Sequence, residues 1–145
     1  DIGDKKSISL EILKPFLSLE NIEFLDLQYN DTNDERDRFF KNTGIKINKI
    51  ESIDNFYDLN GLTSLIDLCD FVITVSNTNA HISGALGKET FLLLPRGKGK
   101  LWYWNSIKNK SMWYNSIRIL EQLKIDSWGD TIKKLLKIVE DKTNG

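Results

Sequence analysis

Apolar residues along this chain follow two periodicities, one typical of buried strands and the other typical of amphipathic helices. Continuous apolar runs predict strands over Phe71–Val75, Thr90–Leu94 and Ile117–Leu120, and a further strand is expected over Asn21–Leu27. Helices are predicted at Ser9–Leu19, Gly61–Leu68 and Trp128–Asp141, where apolar residues recur three or four positions apart. Start and stop residues predict two more, at Thr32–Asn42 and over the residues leading to Leu86-Gly87. The segment Ile45–Ile53 fits either a strand or an extended loop.

Capping and turn residues support the same division. Thr32 and Glu35 form a capping-box pattern at the start of one helix, and Gly44 is expected to stop that helix. Asn60 is a candidate cap for the next helix, and Pro15 predicts a kink or an early end in the first one. Strands and helices that alternate at this spacing predict an α/β fold, with a parallel sheet flanked by helices, in one domain over residues 1–145.

The candidate functional site is the polar turn between the strand Phe71–Val75 and the short helix that follows. Its residues are Ser76, Asn77, Thr78, Asn79, Ala80 and the only histidine, His81. Ligands of open α/β sheets bind at the carboxyl ends of strands, and the N–H groups at the start of a helix favour an anion, above all phosphate. The turn contains no acidic residue, and a neutral His81 is expected to donate one hydrogen bond to phosphate. The alternative is that these residues only cap the helix and that His81 is structural.

Three further residues are candidates for the same crevice. Gly84 allows the close approach of either a ligand or a neighbouring strand. Gln28 follows a predicted strand, and Asn60 precedes a predicted helix, so either side chain could reach a ligand at the carboxyl edge of the sheet.

A basic loop and an aromatic cluster follow the strand Thr90–Leu94. Arg96 and Lys98 lie in a glycine-rich stretch that either closes over phosphates or is simply solvated, and its spacing is not that of a P-loop. Trp102, Tyr103 and Trp104 are consecutive, so they cannot all face one core. We therefore expect some of these rings, with Trp102 and Trp104 as candidates, to stack on a sugar or base or to meet another domain.

The composition of the chain argues against several classes of function. The formal net charge of −1 argues against an electrostatic surface for nucleic acid. No apolar run approaches the roughly 20 residues that span a bilayer, and no signal peptide is visible, so we expect a cytoplasmic protein. The single cysteine, Cys69, excludes an internal disulfide and is expected to be a buried structural thiol; with one histidine as well, it argues against a zinc site.

A family resemblance is carried by the helix that reads His81-Ile82-Ser83-Gly84-Ala85-Leu86-Gly87-Lys88. This segment resembles the C-terminal domain of GT-B glycosyltransferases of the heptosyltransferase-like, tetratricopeptide-repeat-linked type, whose pattern is an apolar strand, Asp-Thr-x-x-x-His and a helix ending Gly-Ala-Leu-Gly-Lys. Similar features of this chain are Leu27-Gln28-Tyr29, Leu94-Pro95, the Trp102–Trp104 cluster and the segment from Trp113 to Arg118. The chain departs from the pattern at Ser76-Asn77, where Asp-Thr is usual.

The resemblance implies a Rossmann-like domain that forms the C-terminal half of a GT-B architecture. Such a domain would hold the diphosphate of a nucleoside diphosphate sugar at Ser76–His81, with no metal or other cofactor, in a bacterial enzyme that transfers the sugar to an acceptor hydroxyl. Its partner would be an N-terminal domain of the same chain, and because this chain opens at Asp1 without a methionine we expect a fragment of a longer protein. The serine in the loop leaves a second interpretation open, a degenerate, non-catalytic domain that binds a ligand or partner, and a sugar-nucleotide epimerase is a third.

Overall fold

Five helices and seven strands lie along residues 7–143, the part of the chain that the computed structural model describes, and they alternate as far as the fourth strand. The helices are α1 (Leu10–Leu17), α2 (Asn33–Thr43), α3 (Leu59–Leu68), α4 (Thr78–Ala85) and α5 (Gly129–Thr143). The strands are β1 (Phe24–Leu25), β2 (Ile47–Asn48), β3 (Val72–Val75), β4 (Thr90–Leu94), β5 (Ser106–Ile107), β6 (Lys110–Ser111) and β7 (Ile117–Glu121).

The strands form two sheets. In the larger one the order is β3-β4-β7-β6-β5, and β3, β4 and β7 are parallel, with Val72 opposite Thr90 and Thr90 opposite Ile117. Strands β5 and β6 extend this sheet in the antiparallel sense, while β1 and β2 form a separate parallel pair. The predicted α/β class is confirmed. The predicted parallel sheet is present in β3, β4 and β7, but the larger sheet as a whole is mixed because β5 and β6 are antiparallel.

The antiparallel edge arises from a tight hairpin that the sequence analysis treated as loop. Lys108 and Asn109 have φ values of 49° and 64°, and together they connect β5 directly to β6. Two consecutive residues with positive φ are characteristic of the two-residue turn whose twist matches that of the flanking strands. Such a turn joins strands only in the antiparallel sense, so it fixes the direction of both edge strands.

The core is organised about β4, whose five residues are all buried. Phe91 and Leu93 pack on one side of the sheet with residues of α1, α2, β7 and α5, including Phe16, Phe39, Leu120 and Leu135. Leu92 and Leu94 pack on the other side with Ala80, Trp104, Ile117 and Ile119. Burial of both faces explains why this strand is a continuous apolar run rather than an alternating one.

The caps predicted for two helices differ from those in the structure. Thr32 occupies the N-cap position of α2, but its hydroxyl makes no capping hydrogen bond and instead donates to the carboxylate of Asp26. Helix α3 begins at Leu59 and is capped by Asp58, whose Oδ1 accepts from the N–H of Gly61 at 2.8 Å. Asn60 therefore lies inside the first turn of α3 and is not its cap.

Several other local predictions are tested by the same structure. Gly44 has a φ of 74° and ends α2, as predicted. Helix α1 contains Pro15 and ends at Leu17, which fits the predicted early end. Cys69 is only partly buried; its thiol donates to the carbonyl of Leu65 at 3.2 Å, and desolvation raises its pKa. Within residues 7–143, every helix is too short or too polar to cross a bilayer.

Candidate functional site

The turn after β3 opens helix α4 at the carboxyl edge of the parallel strands. Asn77 caps this helix, since its Oδ1 accepts from the N–H of Ala80 at 3.2 Å and from the hydroxyl of Thr74 at 2.9 Å. The first N–H groups of a helix have no partner inside it, and the helix dipole adds partial positive charge at the same place. No residue from Ser76 to His81 is acidic, so nothing within the turn offsets this field.

Ser76 is the buried residue of the turn and connects it to Trp104. Its side chain is 3% exposed, and its Oγ accepts a hydrogen bond of 2.8 Å from the indole Nε1 of Trp104. Asn77 and Thr78, by contrast, are exposed. An anion at this turn would therefore meet the helix N–H groups and the side chains of Asn77 and Thr78, while Ser76 links the turn to the aromatic loop.

His81 lies within a group of three aromatic rings, which we call the aromatic box: Tyr103, Trp104 and Tyr114. Its ring stacks on Trp104 with centroids 4.9 Å apart and an interplanar angle of 28°. Its Nδ1 lies 3.1 Å from the hydroxyl of Tyr114, and Tyr103 is in ring contact at 5.7 Å. If Tyr114 donates to Nδ1, the ring proton is on Nε2, which is the tautomer that can donate to an anion.

Gly84 makes room for one ring of the aromatic box. A Cβ atom added at Gly84 would lie 2.4 Å from Cγ of Tyr114 and 2.6 Å from its Cδ1. This is closer than carbon atoms pack without displacement, so the ring of Tyr114 fills the space that glycine leaves. Of the two uses predicted for Gly84, close packing is the one observed, although the partner is the loop before β7 rather than a strand.

Of the remaining amides of the predicted site, Asn79 connects the turn to the segment that follows β1. Asn79 donates from Nδ2 to the carbonyl of Leu27 at 3.1 Å. The next carbonyl, that of Gln28, accepts from Nδ2 of Asn55 at 3.1 Å, and the side chain of Gln28 is exposed. Asn60 is exposed in the first turn of α3. The structure thus brings Asn79 and the segment around Gln28 together.

The basic loop after β4 is held by the loop after β7. Arg96 donates from Nη1 to the carbonyl of Leu123 at 2.7 Å, and its backbone N–H donates to Oε1 of Gln122 at 3.0 Å. Lys100 pairs with Glu121 at 2.9 Å. Lys98 is exposed, and no partner of its ammonium group is found among the described residues. Arg96 therefore has a structural role, and Lys98 is the cation of this loop that can still meet a ligand.

The two candidate tryptophans have different environments. Trp104 is 1% exposed and belongs to the core and the aromatic box, whereas Trp102 is 76% exposed and contacts only the edge of Tyr103 among the described rings. The prediction that the three consecutive rings cannot share one core is confirmed. Trp113, also 66% exposed, adds to the aromatic surface at this end of the protein.

A second exposed aromatic group lies beyond β1. Tyr29, Phe56 and Tyr57 are between 62% and 83% exposed and contact one another at centroid distances of 5.6 and 4.8 Å. Asp54 shapes their loop, because its carboxylate accepts the N–H groups of Phe56 and Tyr57, and these bonds lower its pKa. No periodicity or motif in the sequence indicated that these rings would meet.

A buried acid, Asp26, directly follows β1, and no sequence pattern marked it as part of this region. Asp26 is 8% exposed, accepts from the N–H of Gln28 at 2.8 Å, and lies 3.5 Å from Nε of Arg36 and 3.9 Å from Nζ of Lys49. Its charge is thus balanced by two cations. Among residues 7–143, no three His, Cys, Asp or Glu side chains are grouped so as to hold a metal ion.

No protein-family model matches the chain, and no solved structure matches it. The chain is 26% identical over 129 residues to Protein FlbA of Caulobacter vibrioides, and the alignment covers 88% of this chain and 21% of that protein. The chain therefore spans about a fifth of the length of this relative.

Proposed function

We propose that this chain is the donor-binding domain of a bacterial glycosyltransferase. It would be a Rossmann-like domain, the C-terminal half of a GT-B architecture, acting in the cytoplasm with an N-terminal domain on the other side of the cleft. The observation that carries the proposal is the acid-free turn Ser76–His81, which opens α4 at the carboxyl edge of three parallel strands. This edge is where α/β sheets bind ligands, and a helix start there favours phosphate.

In this proposal the turn holds the diphosphate of a nucleoside diphosphate sugar. The first N–H groups of α4 and the exposed side chains of Asn77 and Thr78 would surround the phosphate oxygens. His81 would donate from Nε2, with Tyr114 holding the required tautomer through Nδ1. As the bond to the sugar breaks, negative charge grows on the departing diphosphate, and these fixed donors stabilise it without a metal.

The exposed rings fit the other parts of such a ligand. Phe56 and Tyr57 belong to a loop that is joined to the end of β1 through the bond between Asn55 and Gln28, so they offer a surface for a base or sugar. Trp102, at 76% exposure, is our candidate contact with the further domain. Lys98 would approach the phosphates from the loop after β4.

A second candidate function is a non-catalytic domain that binds a ligand or partner. The observation that favours it is Ser76, which stands where the related pattern has an acid and which is buried beneath Trp104. A degenerate domain of this kind would keep the aromatic box and the helix start but would turn nothing over.

Titration of the protein with UDP, GDP and ADP, followed by NMR and without magnesium, tests the binding site. We expect amide shifts within residues 76–83 at millimolar nucleotide. Shifts that cluster elsewhere, or none at that concentration, would reject the site.

Three variants sharpen this test. His81→Ala should weaken nucleotide binding by on the order of 1–3 kcal/mol, the range of a hydrogen bond to a charged group. Tyr114→Phe removes only the hydroxyl and should weaken binding by about threefold to tenfold, because the tautomer is no longer held. Tyr103→Phe is the matched control, since its ring contacts His81 at 5.7 Å and its hydroxyl makes no bond to the imidazole. Equal losses in Tyr103→Phe and Tyr114→Phe would contradict the assigned role of the hydroxyl.

Ser76→Asp, made in the full-length protein, distinguishes an active glycosyltransferase from a non-catalytic domain. In a degenerate domain the added acid is expected to restore sugar transfer. In an enzyme adapted to serine it should reduce transfer, because a carboxylate in the same turn as the diphosphate, although beneath Trp104 and not in contact with the phosphates, is repulsive by roughly 1–4 kcal/mol. Sugar transfer and donor hydrolysis across a panel of sugar nucleotides measure both outcomes. Equal activity of the two versions would show that position 76 is not part of the site.

A further inference from the structure

A cavity of about 420 Å³ lies at the amino edge of the larger sheet, opposite the edge that carries the turn Ser76–His81. Its walls come from the segments that lead into β4 and β7 and from the β5–β6 hairpin, and they include Glu89, Lys108, Asn109, Lys110, Asn115 and Arg118. We call it the basic cleft. Its volume is in the range of cavities that hold small molecules.

Three cations line the basic cleft. Lys108, Lys110 and Arg118 are all exposed, and no carboxylate pairs with any of them among the described residues. The one acidic residue of the lining, Glu89, is 2.6 Å from the ammonium group of Lys142. The chain as a whole has a net charge of −1, so this positive charge is local and not a property of the whole surface.

Two of these cations are placed directly opposite each other. Lys110 of β6 pairs with Arg118 of β7, and the neighbouring N–H of Ile119 donates to the carbonyl of Asn109 at 2.8 Å. That hydrogen bond makes Lys110 and Arg118 the non-hydrogen-bonded pair of the ladder, in which facing side chains are closest. Like charges at such positions destabilise a sheet.

The turn of the hairpin supplies the third cation, Lys108. Lys108 has a φ of 49°, a left-handed conformation that is uncommon for a residue other than glycine, asparagine or aspartate. The two-residue turn accounts for this backbone conformation and places Lys108 beside the cross-strand pair, whose repulsion is unfavourable unless an anion lies between the charges.

We propose that the basic cleft binds a small phosphorylated molecule at a site separate from the turn Ser76–His81. The guanidinium of Arg118 offers a planar pair of donors that matches phosphate, and Lys108 and Lys110 add charge. Asn109 and Asn115 also belong to the lining, and an asparagine amide can supply neutral donors. A bound phosphate turns the repulsion between Lys110 and Arg118 into two attractive contacts.

The test uses inorganic pyrophosphate as the probe and Arg118→Gln as the variant, with Lys110→Gln as a second variant. Lys137→Gln is the matched control, because Lys137 is an exposed lysine on α5 outside the cleft. NMR titration at low salt should show amide shifts at residues 108–118. Each cleft variant should weaken this binding by about tenfold or more, the effect expected for one lost charged hydrogen bond, and the control should not.

Thermal unfolding without any anion gives an independent readout. Arg118→Gln and Lys110→Gln should melt at the same temperature as the wild type or above it at low salt, because each removes the cross-strand repulsion. Pyrophosphate should raise the melting temperature of the wild type and of Lys137→Gln more than that of either cleft variant.

Several results would overturn the proposal. They are the absence of shifts at residues 108–118, shifts that both cleft variants leave unchanged, or binding of an acidic peptide or oligonucleotide in place of pyrophosphate. His81→Ala keeps the two sites distinguishable. If it abolishes shifts at residues 76–83 and leaves those at 108–118 intact, the cleft is independent of the proposed donor site.

Discussion

Replacing Gly84 by alanine tests whether the aromatic box is packed as the structure shows. Gly84 lies within α4 at an ordinary helical φ, so alanine is compatible with the backbone. The new methyl carbon would, however, lie 2.4 Å from Cγ of Tyr114, 2.6 Å from Cδ1 and 2.8 Å from Cδ2. All three contacts are with the base of a rigid ring, so the whole side chain of Tyr114 must move by about 1 Å to reach an ordinary carbon–carbon separation.

Two opposing terms decide the sign of the effect. Overpacking of this kind costs about 1–3 kcal/mol, whereas alanine in place of glycine inside a helix contributes up to about 1 kcal/mol of stability. We therefore expect Gly84→Ala to lower the free energy of unfolding by about 1 kcal/mol, or about 2–4 °C in melting temperature for a chain of this length. The displaced Tyr114 hydroxyl, now 3.1 Å from Nδ1 of His81, would also move out of hydrogen-bonding range, and nucleotide binding should weaken with it.

A double-mutant cycle with Tyr114→Ala isolates the clash. In the Tyr114→Ala background the ring is absent, so Gly84→Ala should stabilise the protein by up to about 1 kcal/mol, and the coupling between the two positions should be about 2 kcal/mol. Urea unfolding of the four proteins measures this, and Gly129→Ala is a control because nothing lies within 4 Å of an added Cβ there. If Gly84→Ala is as stable as the wild type, or if its effect has the same sign in both backgrounds, the packing of Tyr114 against α4 is wrong.

Two further predictions concern ionisable groups. Asp26→Asn should destabilise the protein by about 3 kcal/mol, because Asp26 is only 8% exposed and its loss leaves Arg36 and Lys49 without their carboxylate. Urea unfolding measures this, and Asp37→Asn, at an exposed position on α2, is the control that should change stability little. The pKa of Cys69 is raised by burial, so the folded state favours the protonated thiol: its contribution to stability is present at neutral pH and is lost as the pH rises past about 9. Unfolding free energies of wild type and Cys69→Ala from pH 7 to 10 should converge or cross at the alkaline end, and a constant difference would contradict the shift.

The sequence by itself determined the succession of helices and strands in the parallel part of the fold. The apolar run at β4 is unmistakable because both faces of that strand are covered, and Gly44 ends α2 where only a residue tolerant of positive φ fits. The polar turn before α4 was also visible, since an N-cap residue and small polar residues follow an apolar strand. Apolar runs, helix stops and caps depend only on neighbouring residues, so they can be recognised within one segment of the chain.

The sequence was ambiguous where a side chain can form more than one kind of hydrogen bond. Thr32 fits a capping box, yet its hydroxyl bonds to Asp26, six residues away, because a buried carboxylate gains more from it than an exposed helix end does. Asparagine and aspartate both favour the N-cap position, so Asn60 and Asp58 were equally good candidates. Asp58 is the cap because the helix begins at Leu59. The antiparallel edge depended on two residues with positive φ, neither of them glycine, in a stretch without a turn motif.

Only the tertiary structure decided which side chains meet. His81 and Tyr114 are 33 residues apart and Ser76 and Trp104 are 28 apart, and no spacing rule relates such positions. The cations of the basic cleft are likewise ordinary surface residues in the sequence and become a cluster only through the pairing of β6 with β7. Periodicity reports which face of an element is buried, whereas contacts across the fold depend on strand order and loop path, which are set by the packing of the whole domain.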